Sequence, residues 1–311
     1  MADLENTSPA RKKTAVEILA EKTARSKANL QAAEKASGEA AAETPAQIFL
    51  PGMDEIMRAL PNPVADSSLF APVARGVKKM HAGALLASRL NTTLTYWGVQ
   101  LNELHADITM QLLWEQQRRG MAVGDVVMLN RNAFMKLIGW GTGGKDYKRF
   151  HRYMLELTGA MLVIESKKPN GASKYHIGAT KTFRILDNFE CDEGGENYRY
   201  KLDPRWVVMF GNREYALLDW SKRLQIGAGQ DLAKALQRLL ATSGDSVQRF
   251  GLEMLKDKMQ YASPIRKFRD SLEAAVRELE RLEIISKGKI EMSTKGKEQL
   301  TMWLQPVQPV A

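Results

Sequence analysis

Apolar positions along this chain fall into short runs whose spacing alternates between the extended and the helical period. Leu94 to Trp97 read as a short strand. Leu101, Leu104, Ile108 and Leu112 then recur at intervals of three and four, the pattern of an amphipathic helix. "VVML" predicts another strand, and Asn130 is a good N-cap for a helix carrying Phe134, Leu137 and Ile138 on its inner face. After "GWGTGG" a longer helix is expected from Lys145 to Leu157, followed by two strands, "MLVIES" and "KYHI", joined through "KKPNGAS".

The second half repeats that order loosely. "DLAKALQRLLAT" predicts a helix, "VQRF" a short strand, "LEMLKDKM" a helix and "QYAS" a turn. "PIRKFRDSLEAAVRELERLE" is a long helix opened by Pro264, and "IISKGKIEM" reads as a hairpin through Lys287 and Gly288. Each half therefore runs helix, short strand, helix, tight turn, longer helix, hairpin, the order of a helix-turn-helix with a β wing. The expected fold class is α+β, mainly helical, with two winged-helix domains in tandem, at 72–205 and 206–305. The repeat is one of pattern and not of residue identity.

The flanks lack this patterning. Residues 1–46 hold almost no large apolar side chains and cannot bury enough surface to offset chain ordering, so a basic tail, disordered or frayed-helical, is expected. Its Arg11, Lys12 and Lys13 read as part of a solvated tail. Residues 47–71 are punctuated by proline and read as a linker with one short helix, and 306–311 as a C-terminal tail.

Composition narrows the partners. The formal charge of +9 favours a polyanion, nucleic acid or an acidic membrane surface. No apolar run reaches the length needed to span a bilayer and no secretory segment opens the chain, so a cytoplasmic, reducing setting is expected, which the family resemblance given below makes bacterial. The single cysteine, Cys191, excludes a disulfide framework within the chain.

Gly139, Gly144 and Lys145 match a phosphate-loop template except at its last position, where Asp146 replaces the hydroxyl residue. That template needs a strand before the loop and a magnesium-holding hydroxyl after the lysine. Here a helix precedes it and a carboxylate follows. Gly139 is better read as the left-handed residue ending that helix, with Trp140 packing back on it.

The helix after the turn carries the stronger signal. Lys145, Lys148, Arg149 and Arg152 fall on one face, while Tyr147, Phe150, Met154 and Leu157 fall on the other. Glu156 is the one acid in the basic stripe. Lys145 and Lys148 also lie near the helix N-terminus, where the dipole disfavours cations by up to ~1 kcal/mol, a cost phosphate contacts would offset. Lys167, Lys168 and Lys174 are expected near the tip of the first wing. In the second long helix Ile265, Phe268, Leu272, Ala275, Val276 and Leu279 form the apolar stripe. Arg266, Lys267 and Arg269 are its DNA candidates, arginine suiting guanine and lysine phosphate. The C-terminal half of that helix reads as intrahelical pairing, such as Glu273 with Arg277.

Other chemistry is sparse. His81, His105, His151 and His176 lack partners at metal-ligand spacing, and no zinc motif occurs. Asp187, Glu190, Asp192 and Glu193 read as a solvated turn. No catalytic constellation is evident, so no enzyme activity, cofactor or metal is expected.

Several stretches together resemble the TrfA family of plasmid replication initiators. These are "IMRALPNPVADSSLF", "LTYWGVQLNELHADITMQLLWEQQRR", "GWGTGGKDYKRFHRYMLELTGA", "TFRILD", "WVVMFGNREYALLDWSKRL" and "SPIRKFRDSLEAAVRELERLEII". The likeness runs from about Ile56 to Met292, and Asp66 departs from it, standing where a basic residue is expected. The resemblance implies two winged-helix domains that bind repeated sites, iterons, at a plasmid origin. It also implies opening of an A·T-rich region, loading of the host replicative helicase, contact with the host initiator, and a monomer–dimer equilibrium. Tyr147 to Met154 would then lie in the first recognition helix and Ser263 to Leu272 in the second. The family further suggests a sliding-clamp peptide, for which Gln47, Ile48 and Leu50 are the candidates, with Pro51 in place of the aromatic anchor. Within DNA binding the alternative is a dimeric repressor on a palindrome. Outside it, the alternative is an ATPase using the glycine loop.

Overall fold

The computed structural model describes residues 55–72, 78–88, 91–192, 194–211 and 214–305. The basic N-terminal segment, the Gln47–Pro51 peptide, Glu193 and the C-terminal tail lie outside the described residues.

The chain enters on strand β1 (Met57–Pro61) and helix α1 (Asn62–Ala65), then forms the hairpin β2 (Met80–Leu86) and β3 (Thr92–Val99). Helix α2 (Glu103–Arg118), strand β4 (Val126–Asn130), helix α3 (Arg131–Leu137) and helix α4 (Gly144–Thr158) follow. Strands β5 (Met161–Lys167), β6 (Ser173–Ile177), β7 (Phe183–Arg184), β8 (Leu186–Cys191) and β9 (Asn197–Leu202) come next. Helix α5 (Trp206–Phe210), strand β10 (Tyr215–Asp219) and helix α6 (Trp220–Gln225) lead into the second half. That half comprises α7 (Asp231–Leu240), β11 (Val247–Gly251), α8 (Leu252–Lys258), α9 (Ile265–Arg281), β12 (Ile285–Met292) and β13 (Glu298–Leu304). The fold is α+β. The expectation of a mainly helical chain is corrected, because strands rival helices in extent. The single-strand and hairpin signals each extend further than their apolar cores suggest.

Two buried apolar clusters organise the chain. The first runs from Ala59 to Trp220 and the second from Ile226 to Met302. Residues read from the sequence as linker therefore sit inside the first core: Leu60, Val64, Leu69 and Phe70 are buried. β1 pairs antiparallel with β10, Met57 opposite Asp219, so the start of the first half is tied to its end. That long-range pairing gives a short, proline-bounded strand the ladder it could not form locally.

Strand pairing also corrects the first wing. In the second half the sheet order is β11-β13-β12, with α9 packed against β12. The same order recurs in the first half as β4-β9-β8, with α4 packed against β8. The hairpin topologically equivalent to β12–β13 is therefore β8–β9. The β5–β6 hairpin, taken from the sequence as the wing, joins β3 and β2 in a separate antiparallel sheet. In the second half, Lys287 and Gly288 do not turn but lie within β12, and the turn comes at Ser293–Lys297, where Gly296 has φ 70°. Gly288 is small for another reason: a Cβ there would lie 2.4 Å from Val276 Cγ1, so the strand crosses α9 closely.

Candidate nucleic-acid interface

α3 ends in the geometry its glycine implies. Gly139 has φ 70°, its N–H donates to the Lys136 carbonyl (3.0 Å), and the Trp140 N–H donates to that of Met135 (2.8 Å). This reciprocal pair satisfies carbonyls that a helix C-terminus otherwise leaves open. Trp140 then packs edge-on against Phe150 and Tyr153 of α4, fixing the angle between the two helices. Asp146 folds back over the loop: a Cβ on Gly141 would sit 2.7 Å from its Oδ2. The glycine loop thus holds a carboxylate where a phosphate loop would hold an anion.

On α4, Phe150, Tyr153, Met154 and Leu157 are buried, so the apolar face is offset slightly from the one expected, with Tyr147 half-buried and Tyr153 replacing it. The basic stripe faces outward. Lys145 and Lys148 are exposed and make no ion pair among the described residues. Arg149 is half-buried, its guanidinium lying 4.1 Å from the Trp140 ring centroid. This stacking presents a planar donor group with much of its rotamer freedom already removed. Arg152 is exposed, 3.8 Å from Glu156. Arg131, at the start of α3, stacks 3.7 Å from the Tyr147 ring beside the same helix end.

Glu156, which shares the basic stripe in the sequence, turns inward instead. It accepts from Lys78 Nζ and from His105 Nε2 (2.7 Å). The Asn102 N–H donates to His105 Nδ1 (3.1 Å), so the neutral imidazole has both nitrogens in use. Burial pushes the imidazole down to about 4, with the Glu156 hydrogen bond opposing. Burial would raise the Glu156 carboxyl, but the bonds from His105 and Lys78 outweigh it and hold it at about 2. His105, without a metal-ligand partner in the sequence, thus pins the back of α4 to the start of α2.

The three lysines assigned to the first wing lie on the β5–β6 hairpin, apart from the β4-β9-β8 sheet. Lys168 is exposed in its turn, Lys167 stands 3.5 Å from Glu165, and Lys174 is bound to Glu214 at 2.6 Å. The β8–β9 hairpin carries the acids instead. Asp187 pairs with Lys201, Glu190 with Arg199, and Asp192 accepts from the N–H groups of Glu196 and Asn197, shaping the turn. These are fold contacts, and no cluster of metal-binding side chains occurs among the described residues.

In α9 the buried stripe is Phe268, Leu272, Ala275, Val276 and Leu279, while Ile265 is 41% exposed, contrary to the expected pattern. It lies in the first turn, ahead of the point where the helix meets its core. Arg266 and Lys267 are exposed without ion pairs among the described residues. Arg269 is committed to Glu273 (3.4 Å) and Glu298 of β13 (2.7 Å). Glu273 therefore pairs with Arg269 rather than with Arg277. Lys295 and Lys297, exposed in the β12–β13 turn, were missed in the sequence because that turn was placed at Lys287 and Gly288. "STKGK" is the signal that marks it.

The family model described as TrfA protein matches residues 11–287. This places the chain in the class of plasmid replication initiators. The chain belongs to the TrfA family. Among solved structures, domains 2 and 3 of RctB, as selenomethionine derivatives, align with TM-score 0.48 at 12% identity, over 79% of this chain and 98% of that one. A second structure of RctB domains 2–3 gives 0.45 at 14% identity, over 78% and 97%. The WH1 domain of a replication protein isolated from a multiple sclerosis patient gives 0.26 at 13% identity, over 36% and 79%. No curated protein matches the chain.

Proposed function

We propose that the chain is a non-enzymatic initiator that binds repeated sites at a plasmid origin through two winged-helix units. α4 and α9 serve as the recognition helices. The observation that carries this reading is that both helices carry exposed cations within their first five residues that make no ion pair among the described residues, Lys145 and Lys148 on one, Arg266 and Lys267 on the other. A helix start is where cations are least favoured by the dipole, and a phosphate backbone supplies the compensating charge. Arg149, held over the Trp140 ring, and Arg266 suit guanine edges. Lys145, Lys148, Lys267, Lys295 and Lys297 suit phosphates. Opening of an A·T-rich region and recruitment of a host helicase and initiator follow from the family reading. The clamp peptide belongs with them.

Footprinting on the DNA flanking the gene tests this. Protection of regularly spaced direct repeats is the expected result, and a single palindrome occupied by a dimer would replace the reading with that of a repressor. Binding should weaken with salt at a log–log slope of roughly −0.9 per neutralised phosphate. Arg266→Ala should cost about 1–3 kcal/mol and relax base choice at one position. Equal loss on every base variant would remove Arg266 from base reading.

A further inference from the structure

The two apolar cores form separate clusters, and buried charged side chains bridge them. Glu103 and Asp107, on the first two turns of α2, are fully buried, and their partners come from beyond the first core. Glu103 accepts from Arg223 Nη2 (2.8 Å) and Arg238 Nη2 (2.8 Å). Asp107 accepts from Arg223 Nε (2.5 Å) and Lys234 Nζ (2.6 Å). Arg238 also donates to the carbonyls of Ala65, Ser67 and Phe70, gripping the entry segment.

A second set of ties acts on α9 itself. In the turn just before it, Gln260 has φ 50°, a conformation that costs a non-glycine residue. Its side chain accepts from Gln100 Nε2 (3.0 Å) and donates to the Ser68 carbonyl (3.1 Å), both in the first half. At the far end of α9, Arg281 donates to the Gln225 carbonyl (3.0 Å), and Lys222 to that of Glu283 (2.9 Å). The second recognition helix is thus held at its start to the first half and at its far end to α6, the helix that joins the two halves.

Apolar packing tolerates sliding and rotation, whereas buried hydrogen-bonded charges accept few geometries. Such groups add little net stability over apolar replacements, and fixing a register is their best-attested use. We propose that this polar bridge, with Glu103, Asp107 and Gln260 as positioning residues, fixes the separation and angle of α4 and α9. The protein then accepts one spacing between the two half-sites it reads. The proposal rests on the DNA reading above for its second part only.

The test uses the full chain carrying Cys191→Ser, with spin labels at Leu155→Cys on α4 and Arg277→Cys on α9. The unaltered bridge should give one narrow interlabel distance distribution, and Gln260→Gly and Lys234→Met should broaden it. Gln260→Gly also relieves the left-handed backbone, so its unfolding temperature should hold or rise while the distribution widens. That result separates positioning from mere stabilisation. The DNA probe is the duplex that the unaltered chain selects from a randomised pool, compared with the same duplex carrying one inserted base pair between half-sites. The unaltered chain should prefer the native spacing by roughly tenfold or more, and the variants by about threefold or less. Distributions as narrow as the parent's in both variants, or a broad one in the parent, overturn the proposal. Broadened distributions with unchanged spacing preference overturn its DNA part. If the unaltered chain selects no duplex while the distributions respond as stated, the DNA reading fails and the geometric role stands.

Discussion

Replacing Glu103 by glutamine probes the centre of the bridge with almost no change of shape. Glu103 is 0% exposed and accepts two charged hydrogen bonds at 2.8 Å, one from each of two buried arginines. Glutamine offers one acceptor and turns its NH2 donors toward the second guanidinium. Breaking one side of a buried ion pair typically costs about 3–5 kcal/mol. Both arginines retain other partners, Arg223 through Asp107 and Arg238 through backbone carbonyls, which places the expected loss at the lower end, about 3 kcal/mol. At this chain length that corresponds to a fall in melting temperature of roughly 5 °C. Urea unfolding followed by circular dichroism, at fixed protein concentration, measures it. Glu273→Gln, which breaks the exposed Arg269 pair, is the control and should cost at most about 0.5 kcal/mol. A loss below about 1 kcal/mol for Glu103→Gln would refute the argument that buried charge holds the halves together.

Gly288→Ala should destabilise by about 1–3 kcal/mol, since its Cβ would meet Val276 Cγ1 at 2.4 Å, and Val276→Ala should recover much of the loss in the double variant. Folded His105 titrates near 4, below an unfolded imidazole, so the unfolded state takes the proton first as pH falls. Its stabilising effect is fully present above about 6.5 and is lost as pH falls toward 4, at up to about 1.4 kcal/mol per pH unit. In His105→Gln, the slope of stability against pH should flatten across that window, and an unchanged slope would assign the acid sensitivity elsewhere. Lys295→Ala and Lys297→Ala should each weaken every duplex alike and reduce the salt slope by about 1. Lys174→Ala, whose ammonium is occupied by Glu214, should leave both unchanged in a DNA titration.

Much of the local structure was legible in the chain. Apolar stripes at intervals of three and four located α4 and α9, because a helix packed on one side must repeat its apolar residues at that interval. Gly139 announced a helix end, since only glycine takes the required backbone angle without cost, and the structure shows both hydrogen bonds that motif demands. The outward basic stripe of α4 was visible for the same reason as its buried face. α2 was harder. Its apolar spacing was plain, but its polar side is buried too, and Glu103, His105 and Asp107 carry no mark distinguishing them from solvated residues. Their burial depends on partners on α4, α6 and α7.

Wing identity shows the division most clearly. The sequence by itself determined that strands follow each long helix, from alternating residues; the second hairpin turns at Ser293–Lys297 and not at Gly288. Which hairpin completes the sheet with β4 depended on pairing between strands far apart in the chain, and only the tertiary structure decided for β8–β9. That choice moved Lys167, Lys168 and Lys174 off the wing and placed an acidic turn on it. The entry segment around Leu60 was likewise assigned by its long-range ladder with β10, not by local composition. Periodicity records which face of an element is apolar. What that face meets is set by the summed contacts of the whole chain, and no short window of sequence contains them.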